Sequence, residues 1–145
     1  MATPYEPPPA PPSNAPGGTT GIGIDANLAS MLCYLTMICC GLGIIVSLVF
    51  FIVEKTNRLL RFHALQGLLF GGVWVVVGIA FKILSMVLSI GDLDLGLIFW
   101  GLLLVRILVA LFLLVLLILA AIKAYQGQYY KLPIIGDIAW NVVNK

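Results

Sequence analysis

The sequence predicts an all-α polytopic membrane protein with three transmembrane helices and a short C-terminal interfacial helix. Three observations carry this. The composition is 61% apolar and 10% charged with a mean hydropathy of +1.11, where soluble domains sit near ~45–50% and ~25%. Apolar runs at about 28–53, 64–90 and 95–122 each exceed the ~20 residues that cross a bilayer core. Charge gathers between the first two runs, in FIVEKTNRLLRFHALQGLLF (51–70), which also holds the only histidine, His63.

The totals exclude several functions. A net charge of +2, with Lys and Arg spread along the chain, offers no basic patch for nucleic acid. The three cysteines, Cys33, Cys39 and Cys40, fall in the first apolar run at a spacing that matches no zinc or redox pattern. They read as small buried hydrophobes.

The first 24 residues form a Pro/Gly-rich tail before a membrane domain at 25–145. The tail holds all but one of the eight prolines and favours an extended form that buries little apolar surface. It is read as a flexible tail, with docking on a partner as the sharper alternative. Asp25 is placed to cap the first helix by accepting its orphan amides. Leu28 to Val53 then carries no charge, and Gly41 and Gly43 within it permit close packing or a bend.

In the second run Gly67 and Gly71 form a GxxxG that lets another helix approach closely. The same face continues through Gly78 to Lys82, which is expected to look toward protein. After the acidic turn Gly91–Asp94, the third run carries Arg106. Lys82 and Arg106 fall at similar depth, and an acid among Asp25, Asp92 and Asp94 is expected to pair with one of them. A charge at the bilayer centre costs ~2.5–3.5 kcal/mol, and snorkelling is the alternative to pairing. The chain then meets an aromatic belt in AYQGQYYK. Pro133 breaks the helix, and 134–143 reads as an interfacial helix with an apolar strip of Ile135, Ile138 and Val142, started by Asp137.

With three spans the two ends fall on opposite sides. Lys55, Arg58, Arg61, Lys123, Lys131 and Lys145 lie on one side, whereas the tail and the 91–94 turn hold acids but no Lys or Arg. The positive-inside rule therefore places the C-terminus in the cytoplasm and the N-terminus outside. Glu54 and Arg58 stand four apart in the order that supports a helix. Lys55, Arg58 and Arg61 lie where anionic lipid head groups attract them. His63 and Gln66 share a helix face suited to hydrogen bonds with neighbouring helix ends.

EKTNRLLRFHALQGLLF, followed by KAYQGQYYKLPIIGDIA, resembles a widespread bacterial family of small membrane proteins with no assigned function. That family is distantly related to the chloroplast inner-envelope protein-import component. The likeness spans about Asn27 to Ala139 and implies a bacterial membrane, which the helical spans favour as the inner one, and, more remotely, a part in protein translocation.

A non-catalytic structural or accessory subunit of a larger membrane complex is the leading expectation, with lipids and other membrane proteins as partners. No nucleophile, base and orienting group can be assembled from one histidine and no acid within a span, so no enzyme is expected. Translocation is one alternative. Pigment or haem binding with His63 as axial ligand is another; otherwise no cofactor or metal is expected.

Overall fold

In the computed structural model the described residues are 17–89 and 96–144. Most of the proline-rich tail, the acidic turn 91–94 and Lys145 lie outside them. The described chain forms five helices and no strand: α1 (Ala26–Cys40), α2 (Gly43–Val53), α3 (Arg58–Leu88), α4 (Gly96–Tyr125) and α5 (Ile135–Val143). α3 and α4 are the two long and apolar enough to cross a membrane.

The expected first span, 28–53, is instead two short helices folded back on each other. Gly41 ends α1 with φ +66, a left-handed conformation that only glycine adopts freely. A Cβ on Gly43 would stand 2.5–2.7 Å from the Met37 backbone and Cβ. The two glycines thus make a turn too tight for side chains. At 1.5 Å per residue α1 is ~22 Å long and α2 ~16 Å, so neither crosses a ~30 Å hydrocarbon core. The pair is antiparallel: the Ser47 hydroxyl donates to the Cys33 carbonyl at 3.4 Å, and the Gly21 amide donates to Glu54 at 2.7 Å.

This hairpin wedges between the lower halves of α3 and α4. α1 packs on both, and α2 packs on α3. The close approach of α2 is made at the GxxxG, where Gly67 faces Ser47 and Cys33, and Gly71 faces Ile44 and Met37. Beyond the wedge α3 and α4 touch only sparsely, and α3 is largely exposed past Gly71. Gly78 faces open space, and Lys82 is exposed instead of looking toward protein. The glycine face outruns the short hairpin that covers its beginning.

The fold-back also brings the two ends of the described chain, Gly17 and Asn144, to the same end of the bundle, where three spans would have separated them. Residues 17–25, the 54–57 loop, the 126–134 segment and α5 all lie at one end of the bundle. Residues 17–24, read as part of the tail, are fastened to this end. The Gly17 amide donates to Asn27 Oδ1 at 3.0 Å, and Asn57 Nδ2 donates to the Gly17 carbonyl at 2.6 Å. Asp25 caps α1 as expected, accepting from the amides of Asn27 and Leu28 at 2.9 and 3.0 Å.

Candidate functional site

The charged end of the bundle encloses one continuous polar cluster. α3 brings His63 and Gln66 to the same face, and α1 supplies Tyr34 opposite them; all three are fully buried. His63 Nε2 lies 3.0 Å from the Gln128 carbonyl, and its Nδ1 lies 3.0 Å from the Tyr34 hydroxyl. A carbonyl only accepts, so Nε2 carries the proton and Nδ1 receives the Tyr34 hydroxyl. Gln66 Nε2 donates to the Tyr34 oxygen and to the Tyr130 carbonyl, each at 3.1 Å. Gln66 Oε1 accepts from the Leu132 amide at 3.4 Å. Donors run in one sense, from Gln66 through Tyr34 and His63 to Gln128, and each group has its partner.

The cluster fastens a segment without regular structure. Residues 126–134 leave α4 through Gly127, φ +71. The Gln128 carbonyl accepts from the Tyr130 amide at 2.9 Å and also from His63, and the Tyr130 carbonyl, which would be orphaned in a dry interior, is satisfied by Gln66. An aromatic layer continues outward: Phe62 meets His63, Tyr129 and Trp140 edge-to-face at centroid distances of 5.0, 5.5 and 5.9 Å. α5 docks there through Gly136 and Ala139, leaving Ile138 and Val142 half exposed. Asp137 does not cap α5; it pairs with Lys131 at 3.1 Å, whose ammonium also lies 4.9 Å from the Trp140 ring centre.

A second hub ties the N-terminal segment down. Glu54 is buried and accepts from the amides of Gly21, Thr56 and Asn57 at 2.7, 2.8 and 2.9 Å, and from the Thr56 hydroxyl. Burial pushes the Glu54 carboxyl up, but these bonds outweigh it and hold it at about 2. The expected helical pairing with Arg58 does not form, because α2 ends at Val53 and Glu54 turns into the loop. Lys55 and Arg58 are exposed, and Arg61 is half-buried with its guanidinium 5.6 Å from the Phe51 ring centre. Arg106 is exposed between α3 and α4; the acids of the 91–94 turn proposed as its partners lie outside the described residues.

Residues 25–139 match the magnetosome magnetite crystal formation protein family. The chain belongs to this family. It is 38% identical over 123 residues to a UPF0132 membrane protein of Methanocaldococcus jannaschii, covering 84% of this chain and 92% of that one. A second M. jannaschii UPF0132 membrane protein is 29% identical over 81% of this chain and 70% of its own length. One from Archaeoglobus fulgidus is 33% identical over 78% and 90%. These relatives are archaeal, and their names describe them as membrane proteins. No solved structure matches.

In this member of the magnetite crystal formation family, the sequence motifs and the structural cluster coincide. RFHALQ supplies His63 and Gln66, and QGQYYKL supplies the backbone they hold. Both imidazole nitrogens are engaged, so His63 has no free lone pair for a haem or chlorophyll iron or magnesium. Among the described residues no three His, Cys, Asp or Glu side chains come together. Tyr34, Asn57 and the role of Glu54 were not foreseen. Asn57, just ahead of α3, was the one with a local signal, and it caps that helix by accepting from the Leu60 amide.

Proposed function

We propose that the protein is a non-catalytic integral membrane protein that serves as an accessory subunit of a larger membrane assembly. The carrying observation is the closed Tyr34–His63–Gln66 circuit. Among the described residues, the buried polar groups of this circuit are spent on one another and on fixing the 126–134 segment and α5. The family's description names magnetite crystal formation, and these residues support a membrane-embedded accessory part in such a process. A translocation role would need a path through the bundle, and the polar cluster that could line one is closed by its own hydrogen bonds.

The end bearing Lys55, Arg58, Arg61, Lys123 and Lys131 is assigned to the cytoplasm on the positive-inside rule. Because Gly17 and Asn144 both sit at that end, the two described termini face the cytoplasm together. They present a platform of loops and α5 to cytoplasmic or membrane partners. Purification in mild detergent from the native host tests the reading. Co-elution with a stoichiometric membrane partner is the expected result, and a monomer that elutes alone would refute it.

A further inference from the structure

The α1–α2 wedge props α3 and α4 apart, and the space above it is a groove. Three adjoining cavities of about 120, 60 and 210 Å³ run along it. The first two share Phe81 and Arg106 as lining residues. The second and third share Trp74. The hairpin tip closes the far end with Met37, Gly41 and Ile44. Among the described residues Arg106 is thus the charged group lining a largely apolar slot, at the point where the first two cavities meet. Lys82 stands at its rim, one helical turn from Gly78 and from Ser85, both of which line it.

Depth identifies the occupant. Arg61 to Lys82 spans ~32 Å of helix and Lys123 to Arg106 ~26 Å, bracketing the ~30 Å hydrocarbon thickness. Lys82 and Arg106 therefore lie at the head-group level of the leaflet remote from the Glu54 end. From them to the groove floor at Phe70 and Leu117 is ~16–18 Å, close to the ~15 Å of one leaflet. We propose that this groove binds an anionic phospholipid, its phosphate on Arg106 and Lys82 and one acyl chain lying along Phe81 and Trp74 to the hairpin tip. Two cations with an apolar slot of one leaflet's depth beneath them match a lipid in charge and in length. A second copy of the chain matches only the apolar part.

Native mass spectrometry of the full chain in mild detergent tests this, with equimolar dioleoyl phosphatidylglycerol and dioleoyl phosphatidylcholine as probes. The first bound lipid is expected to be phosphatidylglycerol. Arg106→Gln should lower that preference about fivefold, the effect of one cation near an anionic head group. Gly78→Leu fills the groove from a position with open space around it, and it should abolish the first binding event while leaving the circular dichroism unchanged. If Arg106→Gln does not elute as a single species, the Gly78→Leu result decides alone. Equal binding of the two lipids by the wild type, unaltered preference in Arg106→Gln, unaltered binding in Gly78→Leu, or a dimer that carries no lipid would each overturn the proposal.

Discussion

Tyr34 and His63 stand 29 positions apart in the chain, and the Tyr34 hydroxyl meets His63 Nδ1 at 3.0 Å in the buried interior of the bundle's charged end. This single contact couples the short hairpin to a spanning helix. Through the other imidazole nitrogen it extends to the segment that leaves α4. A buried group left unpaired costs about 1–3 kcal/mol. His63→Leu leaves the Tyr34 hydroxyl proton without an acceptor, takes one of two donors from the Gln128 carbonyl and empties part of a packed interior, and so it should cost about 2–4 kcal/mol in denaturant unfolding in detergent. Tyr34→Phe should cost less. The double variant should fall short of the sum by about 0.5–3 kcal/mol, the signature of residues in one network. Strict additivity would show that the circuit does not act as a unit.

Gly43 and Gly78 make a contrasting pair. A Cβ on Gly43 collides with the Met37 backbone and Cβ, whereas one on Gly78 meets nothing within 4 Å. Gly43→Ala should therefore destabilise by about 1–3 kcal/mol, the usual cost of overpacking. Gly78→Ala should be neutral or gain up to about 1 kcal/mol from helix propensity. Thermal unfolding of the two variants side by side checks both signs. Equal effects would mean that the hairpin turn is looser than its geometry shows.

Ile134 is the one described non-glycine residue with positive φ, at +66 with ψ −54. The Ile135 amide donates to the Pro133 carbonyl at 2.7 Å, which makes this a strained γ-turn centred on Ile134. The side chain is 80% exposed, so its removal opens no cavity. Ile134→Gly should stabilise the protein by about 1 kcal/mol by relieving the backbone. A lowered melting temperature in detergent would contradict this.

The legible and illegible parts of the fold divide along physical lines. α3, α4 and α5 were readable because apolar length, Pro133 and the belt of tyrosines are local signals. The division of 28–53 was not, because hydropathy reports how apolar a run is and not which way it travels. Only Gly41 and Gly43 marked the reversal, and glycines in apolar helices serve close packing equally well. His63 and Gln66 could be placed on one face from their spacing. Their partners could not, since the carbonyls of Gln128 and Tyr130 are backbone groups with no sequence signature. Glu54 was misread because an i,i+4 pair with Arg58 presumes one helix running through 54–58, whereas α2 ends at Val53 and α3 begins at Arg58.

Glu54 gives a prediction with a definite pH window. Its folded value of about 2 lies below the ordinary 4.5, so the native state binds the proton less readily than the unfolded chain does. By linkage, the stabilisation from its hydrogen bonds is complete above about pH 4.5 and is lost as pH falls toward 2. Glu54→Gln replaces charge-assisted acceptance from Gly21, Thr56 and Asn57 with a neutral amide. It should cost about 1.5–3 kcal/mol at pH 7. As pH falls through 4 to 3 the wild type should approach the variant, because protonation removes the same charge. Contributions common to the two proteins cancel in the difference between their curves. Melting temperatures of the two proteins across pH 7 to 3 measure that difference, and parallel curves would show that Glu54 is not the group that holds residues 17–25 to the 54–57 loop.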